Sequence, residues 1–182
     1  MIFKNYSYFV ILFLTTFLVS CKNKTTQFFI DYQQEVSLPA NVKNWVLVSD
    51  AIQTDCQVRF EKNDTKRSKV HQIFLKNITI VSDEKGELST LKLKAINMDC
   101  PSISRRKIGF KRINTVLTDS SIQFQLMESV QDVKEFIKHK QFGIELFFQG
   151  EKRKQAVRAT LILEFLVEGE LIKTILHQRM LV

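Results

Sequence analysis

Glycine and proline are scarce in this chain, 5 and 2 among 182 residues, so no flexible linker, repeat or low-complexity stretch marks an internal boundary. No apolar run reaches the roughly 20 residues that a membrane-spanning helix requires; the longest extends from Phe9 to Val19. Motifs that announce chemistry are missing as well. There is no Gly-x-Ser-x-Gly elbow, no Ser-x-x-Lys, no phosphate-binding glycine-rich loop and no His-x-x-x-His pair. The histidines, His71, His139 and His177, lie far apart in sequence and read as surface or half-buried structural residues. Asp83, Glu84 and Glu87 around Gly86 read as a hairpin turn, because calcium ligands do not recur beyond them. The expectation is a protein that is not an enzyme and holds no cofactor and no metal.

What is present begins at the N-terminus. Met1 to Tyr8 carries a single cation, Lys4, and Phe9 to Val19 is apolar on every face, which rules out an amphipathic helix. The run closes on Leu18-Val19-Ser20-Cys21, and Lys22 and Lys24 follow at once. This order of charged, apolar and small residues is that of an export signal, and Leu-Val-Ser-Cys resembles the lipobox of bacterial lipoproteins. The resemblance implies removal of residues 1–20 and acylation of Cys21 with several chains, each buried methylene adding ~0.8 kcal/mol to the anchor. Lys22, Asn23 and Lys24 include no acidic residue, which by the same resemblance implies the outer membrane, facing the periplasm. The expected organisation is a signal peptide over residues 1–20, a lipidated N-terminus and polar tether over 21–27, and one domain over 28–182.

Composition supports the single domain. Loss of the signal leaves 162 residues, room for one core and too few for two comfortable ones. Hydrophobic residues at 45% and charged residues at 25% exclude a disordered chain. With Cys21 taken by lipid, Cys56 and Cys100 remain in an oxidising compartment, and a disulfide between them is expected. Neither lies in a Cys-x-x-Cys or beside a histidine, as a reactive thiol or metal ligand would.

The dominant hydrophobic period is two. Ile122, Phe124 and Leu126 alternate with glutamines, and Leu91, Leu93 and Ala95 alternate with polar residues. Phe142, Ile144, Leu146 and Phe148 follow, then the long series Val157, Ala159, Leu161, Leu163, Phe165 and Val167. Weaker strands are expected at 27–33, 45–48, 57–60, 73–81, 107–113 and 171–176. Only Ser129 to Lys140 breaks the period: Val130, Val133, Phe136 and Ile137 recur at helical spacing, and Asp132 with Glu135 has the form of a capping box. The predicted fold is mainly β, an antiparallel Ig-like sandwich with one short helix over about 129–140 that plugs an open end.

The order Arg59 to Val70 (RFEKNDTKRSKV), IFLKNITIV, a charged turn, LKLKAI, then DVKEFIKHKQFGIELFF and a long final strand resembles small β-sandwich lipoproteins of Bacteroidota. That family has no settled activity, so the resemblance implies a fold and no reaction.

Charge is the remaining signal. Without Lys4 the chain carries 26 basic and 19 acidic residues. The basic residues cluster at Lys66, Arg67 and Lys69, at Arg105, Arg106, Lys107, Lys111 and Arg112, and at Lys152, Arg153, Lys154 and Arg158. In an envelope compartment nucleic acid is not an expected partner. Anionic headgroups are, at about 1 kcal/mol per basic residue near the surface. The function expected is a lipid-anchored, non-enzymatic binding or scaffolding module with an envelope protein as partner. The alternatives are a small-ligand or lipid carrier, which requires an apolar cavity between the sheets, and an immunity or inhibitor lipoprotein.

Overall fold

The long alternating run at Val157 becomes the hub of the molecule. In the computed structural model, which describes residues 25–82, 88–128 and 131–172, β9 (Val157–Glu170) lies between β1 (Thr25–Leu38) and β3 (Val70–Val81). Two further strands, β7 (Ser121–Met127) and β6 (Arg112–Leu117), complete a five-stranded sheet in the order β1-β9-β3-β7-β6. A second sheet has the order β2-β8-β4-β5, built from β2 (Asn44–Gln53), β4 (Lys92–Cys100), β5 (Ile103–Lys107) and β8 (Gln141–Gln149). All pairings are antiparallel, and the two sheets form a β-sandwich.

Alternation puts one face of each strand into a shared core. Val157, Ala159, Leu161, Leu163, Phe165 and Val167 are all buried from β9, and Phe142, Ile144, Leu146 and Phe148 meet them from β8. Aromatic rings fill the space between the sheets. Tyr32, Phe142 and Phe165 form three edge-to-face pairs with centroids 5.6–5.9 Å apart, and Phe148 contacts both Trp45 and Phe124 further along.

Tyr32 shows how a polar atom is accommodated in that core. Its Oη donates to the Thr54 carbonyl at 2.7 Å. Burial, opposed in part by the Arg59 guanidinium, pushes the phenol far above its ordinary value of 10.0. The folded state therefore keeps this proton at pH values where the unfolded chain has lost it, so stability is full below about pH 10 and declines above it. Tyr32→Phe is expected to cost about 1–2 kcal/mol at neutral pH, because the buried Thr54 carbonyl loses its donor. The same variant should lose stability less steeply than the parent above about pH 10, and urea unfolding across that range reads both effects.

Several local expectations are corrected. Residues 57–60 are helical, not extended, within α1 (Cys56–Lys62). Cys56 and Phe60 are buried four residues apart while Val58 is 53% exposed, and the Asp55–Arg59 and Gln57–Glu61 pairs follow the same spacing. The segment 107–113 is not one strand. β5 stops at Lys107, Ile108 is buried with its N–H donated to the Ile96 carbonyl, and β6 starts at Arg112 in the other sheet. Leu171 and Ile172 lie outside the strands, and 173–176 lie outside the described residues.

The predicted helix over 129–140 contracts to a single turn, α2 (Lys134–Ile137). Asp132 explains the contraction: its Oδ1 accepts the Lys134 N–H at 2.9 Å and also the Ile73 N–H of β3 at 3.0 Å. The Val133 N–H is donated to the Ile73 carbonyl at 2.8 Å, so this stretch is pinned to β3 in place of extending the helix. Val133, Phe136 and Ile137 are fully buried, and α2 touches β3 of one sheet and β4 and β8 of the other, closing that end of the sandwich. Residues 129–130 of the expected helix and the acidic turn at 83–87 lie outside the described residues.

The expected disulfide is absent: Cys56 and Cys100 are free and buried. β8 lies between the strand leading into Cys56 and the strand ending in Cys100. Cys56 opens α1 beyond the end of β2, and Cys100 closes β4 on the far side of β8, so the fold holds the two thiols apart. The tether is also shorter than expected. Thr25, Thr26 and Gln27 already pair with Glu170, Gly169 and Glu168, so β1 takes up the last three residues assigned to it.

Candidate functional site

The register defines two ends of the sandwich. At the entry end, β1 begins opposite the close of β9, and β3 begins beside them. β2 ends and β8 begins there too, at the Gln53–Gln141 pair, with α1, the 3-10 turn Arg67–Lys69 and α2 packed around them. Leu38, Asn44, Gln149 and Val157 mark the opposite end.

The three basic clusters are not brought together. Lys66, Arg67 and Lys69 stand at the entry end. Arg105, Arg106 and Lys107 run along the edge strand β5, with Lys111 and Arg112 entering β6. Lys152, Arg153, Lys154 and Arg158 belong to the opposite end, in and after the β8–β9 connection. Arg153 departs from the expected surface contact: it is 4% exposed, with its guanidinium 5.5 Å from the Trp45 ring centroid. Arg105 is committed to Glu145 at 2.8 Å, Lys111 to Glu128 at 2.7 Å and Lys69 to Glu170 at 2.8 Å.

At the entry end the structure adds cations that the sequence reading left out. Arg67 and Lys138 line two adjoining open clefts of about 500 and 490 Å³; Lys140 and His139 complete the first, and Lys66 belongs to the second. Nearby Arg59 pairs with Asp55, and Lys134 pairs with Asp132. Among the described residues Lys66, Arg67, Lys138 and Lys140 have no ion-pair partner. Partial burial lowers the pKa of the Lys138 ammonium; the Lys134 and Arg67 charges lower it further, against Glu135 and Asp132. The two clefts are thus net positive, with Glu61 the carboxylate among the residues that line them.

A hydroxyl–imidazole pair lies beside the first cleft. Ser102 Oγ is 2.8 Å from His139 Nε2 and 3.7 Å from Cys100 Sγ. The turn Pro101–Ser102 between β4 and β5 presents the hydroxyl, and Thr54 Oγ1 holds the His139 carbonyl. A nucleophile–base pair needs a third group to orient the imidazole. Among the described residues no carboxylate is hydrogen-bonded to His139. The arrangement sets this hydrogen-bonded pair beside guanidinium and ammonium groups, and those cations provide oxyanion-binding chemistry.

A second surface lies on the four-stranded sheet. β2 is an edge strand, and Val46 and Val48 point outward from it, 44% and 53% exposed. Val46 faces half-buried Phe147, which faces Ala95 in turn, so an apolar row crosses three strands. Next to it Glu145 is nearly buried, held by Arg105 and by the Asn97 amide at 3.0 Å.

No protein-family model matches the chain, and no curated protein matches it in sequence. Among solved structures, the one described as the crystal structure of the 60-mer BFDV capsid protein is similar at 10% identity, over 82% of this chain and 95% of that one, with a TM-score of 0.33.

Proposed function

We propose that this protein is a lipid-anchored envelope lipoprotein, held through Cys21 in the outer membrane facing the periplasm, that binds or scaffolds another envelope protein without catalysing a reaction. The observation that carries the binding role is the outward face of β2. An edge strand leaves backbone N–H and C=O groups open to a further strand, and Val46, Val48 and Phe147 provide adjoining apolar contact. Such a combination suits strand addition by a partner, with side chains of alternate residues entering the apolar row. A carrier would need space between the sheets, and there Phe124, Phe142 and Phe165 are packed to less than 2% exposure. This filling favours the binding reading. An immunity or inhibitor role is a special case of it, decided by what the partner is.

A photo-reactive residue placed at Val48 in intact cells tests the proposal. It should give one discrete adduct with an envelope protein, while the same probe at Val116, exposed on the opposite edge strand β6, should give none. Equal labelling from both positions, or none from Val48, would reject the docking face. The mass of the N-terminal peptide reads the anchor separately, as an acylated Cys21 or an unmodified chain.

A further inference from the structure

Three surfaces compete for a further role: the β2 face already used above, the row of exposed Phe29 with half-buried Leu166 and Phe74 on the five-stranded sheet, and the basic clefts at the entry end. Nothing beside the Phe29 row indicates what covers it. The clefts carry more. We infer that together they form a docking site for the phosphate groups of anionic lipid headgroups, fixing the entry end of the sandwich against the membrane that holds the chain. This rests on the proposed acylation of Cys21.

Two independent features converge on it. The first is charge. Arg67 and Lys138 line both adjoining clefts, with Lys140 in the first and Lys66 and Glu61 in the second; the four cations have no ion-pair partner among the described residues, whereas their neighbours Arg59, Lys69 and Lys134 are each paired. Four cations against one carboxylate concentrate anions at this end, and a bound anion relieves their repulsion. A guanidinium can grip a phosphate with two parallel N–H donors, and ammonium groups add point charge. The Ser102–His139 pair lies beside them, its Oγ and Nε2 hydrogen-bonded to each other at 2.8 Å.

The second feature is reach. Only three residues separate Cys21 from Thr25, the first residue of β1, which makes four Cα–Cα steps. Fully extended they span at most about 14 Å. An acylated Cys21 therefore keeps Thr25, and with it the entry end, within about that distance of its anchor. Arg67 and Lys138 belong to the same end, whereas Lys152 and Lys154 lie at the far one. Each cation brought to an anionic surface raises its partitioning about fivefold, so four suffice to select this orientation over tumbling on the tether. The orientation also leaves the outward faces of both sheets, with Val46 and Val48, free to meet a partner.

The test is amine-reactive footprinting of the full protein, extracted from membranes in detergent and reconstituted in vesicles. Vesicles of phosphatidylcholine alone are compared with vesicles containing phosphatidylglycerol. On the anionic vesicles Lys66, Lys138 and Lys140 should react about threefold or more slowly than on neutral ones, Lys152 and Lys154 should be unchanged, and high salt should abolish the difference. Arg67→Glu, an exposed substitution away from the core, should abolish it too. Equal reaction on both vesicle types would overturn the inference. Protection by inorganic phosphate without vesicles would overturn it in favour of a free-phosphate site. Failure to float with neutral vesicles, together with an unmodified Cys21, would overturn the anchor and the orientation with it, whatever the lysines do; an intact anchor with unprotected lysines would overturn the headgroup site alone.

Discussion

Phe165→Ala is expected to cost about 3–5 kcal/mol of folding stability. The side chain is fully buried at the middle of β9 and meets Tyr32 and Phe142 edge-to-face, with centroids at 5.8 and 5.9 Å. β9 is paired on both sides, to β1 and to β3, so the sheet cannot collapse into the space the ring leaves. The loss combines the transfer of a phenyl group with an unfilled cavity. A domain of this size holds roughly 5–15 kcal/mol in total, so one substitution removes a large share, and the melting temperature should fall by about 6–20 °C. Phe29→Ala is the matched control. Phe29 sits on the other face of β1 with 57% of its surface exposed, and its removal should change stability by no more than about 0.5 kcal/mol. Thermal unfolding of the two variants side by side separates a filled sandwich from a hollow one: a small effect at Phe165 would mean that the ring lines a cavity, reopening the carrier reading.

The sandwich was legible because one face of nearly every strand meets a core and the other meets water. Val157 to Val167 and Ile122 to Leu126 alternate without interruption, and the structure buries those positions. The alternation misleads where a second constraint acts on a few residues. Ala95 continues the alternation of Leu91 and Leu93 in sequence, yet a register shift between Leu93 and Ala95 turns it outward and brings Ile96, Met98 and Cys100 in. At α1 a four-residue stretch satisfies both periods. The Asp55–Arg59 pair was the available clue to the helix. The over-long helix at 129–140 failed for a tertiary reason, since Asp132 spends its carboxylate on a β3 backbone donor as well as on the turn it caps.

The basic cleft was half legible. Lys66 and Arg67 stand out as a run, but Lys138 and Lys140 fall within a helix-like pattern, and nothing in sequence brings position 67 to position 138. The Ser102–His139 contact joins residues 37 apart through the packing of the β4–β5 turn against the chain leaving α2. Arg153 shows the opposite failure. Its neighbours Lys152 and Lys154 are exposed as the charge run suggests, while its own stem and guanidinium lie against Trp45, because a long cation can cover an aromatic ring as readily as face water.

Gly169→Ala is expected to destabilise the fold by about 1–3 kcal/mol, more than its single methyl suggests. A Cβ at this position would stand 2.9 Å from the Lys69 carbonyl oxygen, 3.3 Å from Val70 Cα and 3.4 Å from Thr65 Oγ1. The first two belong to backbone, which cannot rotate away as a side-chain tip can. That backbone is held from several directions: the Lys69 N–H bonds to the Lys66 carbonyl, Thr65 Oγ1 donates to the Glu170 carbonyl, and Lys69 Nζ pairs with the Glu170 carboxylate. Relief therefore means lifting the whole stretch from Thr65 to Val70 off β9, and Arg67 rides on that stretch. Gly150→Ala provides the contrast. Its Cβ would meet the Leu91 Cδ2 methyl at 3.2 Å, a flexible side-chain end that can yield, so its cost should stay below about 1 kcal/mol. Urea midpoints of the two alanine variants test the difference. If Gly169→Ala proved as stable as Gly150→Ala, the close approach of the Arg67 turn to β9 would not be a fixed feature of the fold, and Arg67 would not be held over the entry end by packing.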